Sequence, residues 1–313
     1  MEFFGVSLLN GLIYGLILFA VSAGLTLIFG MMGIINFAHA SFYMLGAYLA
    51  YSLGGMLGFW WAIVLAPLVV GVIGMGVERY MLRRVHAHGH AHELLLTFGL
   101  AFVFEELMKM LYGNYAVNYR APSELQFPAF TLFSTEFQFY RIFVGLTALL
   151  MFAILFCLLR YTRVGIVVRA AVRLPKMVGA LGHNVPAVFM GVFGLGAWMA
   201  GLAGAVSGAL LTTNPNMALE LGVIVFVVVV VGGLGSLEGA LIASLMIGVL
   251  TSFSVGLDFS IADMLGWIGL REHAAAMGDF MTVKLSTYSA AIPVLLMLIV
   301  LLIRPAGLMG ERN

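Results

Sequence analysis

The sequence predicts an all-α polytopic membrane protein with about eight or nine transmembrane helices. Three observations carry this. Of 313 residues, 63% are hydrophobic and 9% charged, about a third of the charge a soluble chain needs to solvate its surface. The apolar residues fall into nine runs, most near the roughly 20 residues a helix needs to cross a bilayer: 5–30, 36–55, 58–80, 94–112, 141–160, 186–211, 219–232, 239–257 and 286–303. Glycine is abundant, 38 of 313 residues, which suits helices packed closely through small residues in lipid.

The run at 219–232 is the shortest and its crossing is the least settled. Its valines do not argue for a strand, because an open sheet edge has no place in a bilayer. The polar insertions 113–140 and 258–285 are expected as loops. The whole chain, 1–313, reads as a single transmembrane domain. A cleavable signal peptide is not expected, since Glu2 is the only charge before Glu78. The single cysteine, Cys157, excludes an intrachain disulfide. A net charge of +1 gives no reason to expect nucleic acid as a partner.

Lys and Arg set the orientation. If the nine runs alternate from an outer N-terminus, ten basic residues share one side: Arg79, Arg83, Arg84, Arg160, Arg163, Arg169, Arg173, Lys176, Arg304 and Arg312. Arg120, Arg141, Arg271 and Lys284 take the other. The segments 79–93 and 160–185 and the C-terminus are thus cytoplasmic, and 113–140 and 258–285 face out. The 258–285 loop has four acids, Asp258, Asp263, Glu272 and Asp279, against two bases.

Two places interrupt the helical pattern with glycine and polar residues. One spans 30–41 and holds Gly30, Gly33, Asn36, His39 and Ser41; the other spans 232–239 and holds Gly232, Gly233, Gly235 and Ser236. Paired interruptions point to a transport pathway or gate, and polar side chains amid apolar sequence need partners. Asn36, His39, Ser41, Gly232, Gly233, Gly235 and Ser236 are the candidate pathway residues. Tight surface turns and satisfied structural hydrogen bonds are the alternative reading.

Within the fourth run, Glu105 and Lys109 stand i, i+4 and predict an intramembrane ion pair; Glu106 has no such partner in sequence. A proton relay would use such acids. His86, His88, His90 and His92 alternate with small residues, a spacing that could bind a metal but that also suits a solvated linker; no metal site is assigned. No glycine precedes any of the three lysines, Lys109, Lys176 or Lys284, so a phosphate-binding G-x-x-x-x-G-K-[ST] loop is excluded. The hydrolase and metalloprotease motifs G-x-S-x-G and H-E-x-x-H do not occur, which leaves an intramembrane enzyme without a catalytic constellation.

The cytoplasmic stretch 163–185 is longer than a connection requires. Its bases Arg169, Arg173 and Lys176 sit at roughly helical spacing, and Pro175 divides it into two short helices. A docking element for a soluble partner fits this better than a simple anchor.

The chain resembles the permease subunits of branched-chain amino-acid ABC importers, the LivH type, along nearly its whole length. The resemblance rests on Asn10, Gly11, Gly24 and Gly30, on the block from Gly33 through Asn36 to His39, on Gly46, Tyr48 and Gly99, on Arg163, Gly165 and Arg169, on Gly182 and Asn184, on Gly232, Gly233, Gly235, Ser236 and Gly239, and on the tail from Arg304 to Leu308. It implies an inner-membrane subunit importing branched-chain amino acids or related small polar solutes. Its implied partners are a second, LivM-type permease, two cytoplasmic ATPase subunits that bind the ATP, and a periplasmic solute-binding protein. Gly165, Arg169, Arg173, Lys176 and Gly182 would belong to the segment that couples to the ATPase. Ala40, Arg173 and Leu174 depart from the family pattern, and the four-histidine stretch is not part of it. A proton-coupled secondary transporter is the alternative.

Overall fold

The computed structural model describes residues 2–132, 135–257, 259–267 and 269–310. Asp258 and Arg312 lie outside the described residues, and so do the side chains of Arg173 and Asp279.

Each of the nine apolar runs coincides with a helix. Helix α1 (Glu2–Met32) has 31 residues, about 46 Å at 1.5 Å per residue, longer than the roughly 30 Å hydrocarbon core. Gly33 ends it with φ 67°, its N–H donating to the Phe29 carbonyl at 2.8 Å. Helices α2 (His39–Leu57) and α3 (Phe59–Val77) are separated by Gly58 alone, at φ 87°. A π-turn over Glu78–Leu82 carries α3 into α4 (Arg83–Val85), so that Phe59–Val85 forms one apolar rod. Gly89 and Gly113, both at positive φ, bracket α5 (His90–Tyr112).

The insertion expected as a loop at 113–140 contains a hairpin, β1 (Pro128–Leu132) antiparallel to β2 (Thr135–Gln138). Alternation explains it: Phe130 and Phe137 are cross-strand partners whose rings stack at 5.3 Å, with Phe137 buried. Next come α6 (Phe139–Tyr161), α7 (Arg163–Arg173), α8 (Pro175–Ala180) and α9 (Val185–Ser207). Thr162 caps α7 and Asn184 caps α9 with side-chain oxygens, while Pro175 supplies the fixed φ of a first helical residue to α8. Helices α10 (Met217–Gly232) and α11 (Leu237–Gly256) follow. The second insertion forms α12 (Ile261–Gly266), α13 (Arg271–Ala276) and α14 (Asp279–Thr282), before α15 (Ile292–Ile303).

Among the described residues, six helical segments are long and apolar enough to cross a membrane: Glu2–Met32, Phe59–Val85, Phe139–Tyr161, Val185–Ser207, Leu237–Gly256 and Ser286–Ile303. The other three runs form α2, α5 and α10. Helix α5 carries Glu93, Glu105, Glu106 and Lys109; α2 begins with His39 and carries three tyrosines, Tyr43, Tyr48 and Tyr51. Helix α10 has 16 residues, about 24 Å of rise. The chain is a multi-pass membrane protein.

The core lies where α1, α2, α9 and α11 meet. Glycine sets the distances there: a Cβ on Gly46 would stand 2.1 Å from the Gly201 carbonyl, and one on Gly204 would stand 1.9 Å from that of Tyr43. Backbones this close leave no room for any side chain. Helices α6 and α15 lie outside this core and are mostly exposed.

Contacts sort the helix ends into two groups. At one end, Arg83 donates to the Pro186 carbonyl at 2.8 Å, Gly30 abuts Gly235, and the Leu308 and Met309 amides donate to Val231 and Gly232. At the other, Val117 pairs with Thr213, Trp60 donates to Glu124 at 3.2 Å, and the Tyr119 hydroxyl donates to the Ala205 carbonyl at 2.7 Å. The first end carries the segments assigned to the cytoplasm by charge. Helix α10, despite its length, joins one group to the other.

Candidate functional site

The break after α1 starts at Gly33, and α2 begins at His39 rather than at 36. Between them the chain turns back into the bundle. The Phe37 amide donates to Thr97 Oγ1 at 3.3 Å, and the Phe37 ring lies 6.1 Å from that of Phe226 and 6.2 Å from that of Phe98. His39 Nε2 is 3.0 Å from the Val21 carbonyl. Since a carbonyl only accepts, Nε2 carries the hydrogen and Nδ1 of the neutral ring is an acceptor.

Val21 and Gly24, which flank His39, stand eight to eleven residues before Met32. That places the imidazole roughly 12–16 Å above the inner end of α1, near mid-depth of a 30 Å core. Gly24 makes the space: a Cβ there would stand 2.9 Å from His39 Cε1 and 2.5 Å from the Gly196 carbonyl of α9.

Asn36, His39 and Ser41 are all buried. Asn36 Oδ1 accepts from the Ala38 amide at 3.1 Å. Among the described residues, Asn36 Nδ2, His39 Nδ1 and Ser41 Oγ have no hydrogen-bond partner. A buried polar atom left unpaired costs about 1–3 kcal/mol, and this segment carries three.

The second break is a tight turn between α10 and α11. Gly233 (φ 103°) ends α10 and Gly235 (φ 85°) shapes the turn. Ser236 caps α11, its Oγ accepting from the Gly239 amide at 3.1 Å. Gly232 packs on Gly239, and Gly233 packs against Gly307 and Gly310 of the C-terminal tail. The two breaks touch: a Cβ on Gly30 would stand 2.9 Å from Gly235 Cα. The mid-depth polar residues belong to the first break, whereas Gly232, Gly233, Gly235 and Ser236 lie at the end that also holds Gly30 and the C-terminal tail.

In the segment 163–185, Gly165 is buried against the end of α6, where a Cβ would stand 2.2 Å from the Leu159 carbonyl. That contact turns α7 back from α6. Arg169, Lys176 and Gly182 are exposed, the last at φ 88°. Leu174, Met177 and Leu181 of the same segment are 58%, 62% and 77% exposed, which their apolar character alone does not predict. Leu174 and Leu181 stand at the N-cap and C-cap of α8 and Met177 lies within it, so the three exposed side chains span this short helix.

Lys109 Nζ is 2.7 Å from Glu105 Oε1 and 2.8 Å from Glu106 Oε1. Glu106 therefore has a partner at i, i+3, a spacing that also meets on a helix. Glu105 is buried and Glu106 is 63% exposed. At the start of α5, Gly89 breaks the helix on which His86 and His90 would have paired. The Nδ1 atoms of both instead contact the buried carboxylate of Glu93. No group of metal-ligating side chains is found among the described residues.

Residues 7–303 match the family model for the branched-chain amino acid transport system permease component. The chain belongs to this family. As a member, it is a transport permease subunit rather than a catalytic enzyme. It is similar to the high-affinity branched-chain amino acid transport system permease protein LivH of Salmonella typhimurium, 26% identical over 99% of this chain and 96% of the relative. It is also similar to BraD of Pseudomonas aeruginosa, 26% identical over 97% and 95%. A probable branched-chain amino acid transport permease protein LivH of Methanocaldococcus jannaschii is 25% identical over 96% and 91%.

Proposed function

We propose that this chain is one of two permease subunits in a binding-protein-dependent importer of branched-chain amino acids or related small polar solutes in a bacterial inner membrane. Its partners are a second permease of the LivM type, two cytoplasmic ATPase subunits and a periplasmic solute-binding protein. The chain has no phosphate-binding loop, so ATP is bound and hydrolysed by the ATPase subunits.

One observation carries the coupling assignment. Leu174, Met177 and Leu181 form an exposed apolar stripe beside Lys176, at the end of the molecule that carries the positive charge. A stripe facing water is unfavourable at about 25 cal/mol per Å², and an ATPase groove would cover it. ATP-driven closure of the ATPase pair then displaces α8 and, through α7 and Gly165, the inner ends of the helices. The solute, released by the binding protein at the outer insertions, passes by the break at Asn36, His39 and Ser41, and the turn 232–239 gates its exit.

Proteoliposomes containing the four membrane and ATPase subunits test this, with loaded binding protein outside. Met177→Asp with Leu181→Asp is expected to abolish solute-stimulated ATP hydrolysis and uptake together, while the permease pair remains intact. Undiminished stimulation would overturn the coupling assignment. Uptake by this chain alone, driven by a pH gradient without ATP, would establish a proton-coupled transporter instead.

A further inference from the structure

We propose that the cleft between α6, α7 and the start of α11 binds the phosphate headgroup of an anionic lipid from the inner leaflet. The cleft has a volume of about 360 Å³ and is lined by Phe156, Leu159 and Arg160 of α6, Arg169 of α7, and Ser236 and Glu238 at the start of α11. A volume of this size falls in the range of small-ligand sites, about 300–1,000 Å³.

Three properties fix the ligand class. The first is charge. Among the described residues neither Arg160 nor Arg169 forms an ion pair; Arg160 instead lies over the Phe156 ring at 5.5 Å, an arrangement that orients a guanidinium without neutralising it. Two arginines against the one carboxylate of Glu238 leave the cleft with a net positive charge. The second is the α11 N-terminus. Ser236 takes up the Gly239 amide, and the remaining first-turn amides of a helix have no intrahelical acceptor and favour an anion.

The third is position, which selects a lipid over a free anion. Helix α6 exposes Leu146, Leu149, Leu150 and Ile154 to the bilayer and ends in Tyr161, which is exposed and stands where aromatic residues mark the membrane interface. Arg160 directly precedes it. Helix α7 exposes Val164 and Ile166 beside Arg163 and Arg169, as a helix lying in the interface does. Phe156 and Leu159 continue the lipid-facing wall into the cleft, offering an acyl chain a surface beneath its headgroup. Basic pockets between helices on the cytoplasmic side suit such headgroups.

Native mass spectrometry of the full-length chain in detergent tests the proposal, with phosphatidylglycerol, phosphatidylcholine and inorganic phosphate as parallel additions. The wild type is expected to retain one phosphatidylglycerol in preference to phosphatidylcholine, and inorganic phosphate at the same concentration is expected not to displace it. Arg160→Gln with Arg169→Gln should lower the affinity for phosphatidylglycerol about tenfold or more, at about 1 kcal/mol per arginine near an anionic surface. Arg160→Lys with Arg169→Lys should retain most of it. Glu238→Gln should raise the affinity, an outcome that misfolding does not produce. Equal retention of phosphatidylcholine, an unchanged double glutamine variant, or weaker binding by Glu238→Gln would overturn the proposal. Displacement by inorganic phosphate would overturn the lipid as its source.

Discussion

Gly30, near the end of α1, and Gly235, in the turn before α11, meet backbone to backbone, with space for no atom between them. A Cβ built on Gly30 would stand 2.9 Å from Gly235 Cα, and one built on Gly235 would stand 2.8 Å from Gly30 Cα. The contact joins the two glycine-rich interruptions, Gly30 and Gly235 being 205 residues apart in the chain, and fixes where α1 sits against α11. Gly30→Leu should force these elements apart. Overpacking of this kind costs about 1–3 kcal/mol, and the variant should unfold at lower temperature in detergent than the wild type. Gly235→Ala should cost more than Gly30→Ala, because φ 85° at Gly235 adds the left-handed penalty of about 1–2 kcal/mol. Thermal unfolding of the purified chain ranks the two.

Asn36 separates a structural from a transport role. Its Oδ1 holds the Ala38 amide at 3.1 Å, a bond contributing about 1 kcal/mol, whereas its Nδ2 has no partner among the described residues. Asn36→Ser keeps a neutral side-chain oxygen for the Ala38 amide and removes the amide donor. The expected outcome is folded protein whose uptake falls more than tenfold while ATP hydrolysis without solute is maintained. Uptake and stability falling in proportion would mark Asn36 as a capping residue alone.

Much of this architecture is legible in the chain itself, because lipid leaves few solutions. Nine apolar runs became nine helices, and the break at Asn36 and His39 was visible since polar side chains in apolar sequence are conspicuous. The depth of His39 was not legible: it depends on Gly24 and Gly196, distant positions whose glycines admit the ring. The hairpin in 113–140 escaped because its strands are short, five and four residues, and the first opens on Pro128, so alternation over Phe130 and Phe137 does not stand out in an aromatic-rich insertion. The exposed stripe of Leu174, Met177 and Leu181 was hidden for the opposite reason. Apolar residues are unremarked in a chain that is 63% hydrophobic, and only the fold shows that these three are exposed on and beside α8.

The insertion at 258–285 should respond to acid. Asp263 Oδ2 accepts from the Ser260 amide at 2.9 Å and from the Ser260 hydroxyl at 2.8 Å, and Arg271 lies 2.8 Å from Oδ1. The Ser260 hydrogen bonds, with Arg271 and Lys284 adding to them, hold this carboxyl below its ordinary value of 3.8. A lowered folded-state pKa contributes stability that is present above the unfolded value and is lost as pH falls through the folded one. Protection from hydrogen exchange at 260–266, taken relative to the unfolded-chain rate at each pH, should therefore hold down to about pH 3.8 and fall below it. Asp263→Asn should exchange quickly at neutral pH as well.

Glu105 and Lys109 provide the test between a structural ion pair and a proton relay. Glu105 is 5% exposed, and its carboxylate meets Lys109 Nζ at 2.7 Å. Removing the cation leaves a buried charge without compensation, which is strongly destabilising, so Lys109→Met should lower the thermal midpoint well below that of the wild type. Lys109→Met combined with Glu105→Gln removes both charges and should recover most of the loss. Glu106→Gln should change little, because at 63% exposure its carboxylate is solvated without Lys109. ATP-driven uptake should persist in the double variant at a rate within a few-fold of the wild type. A relay would instead lose transport with Glu105→Gln alone even where the protein is fully folded. Measuring uptake and the thermal midpoint on the same four proteins separates the two outcomes.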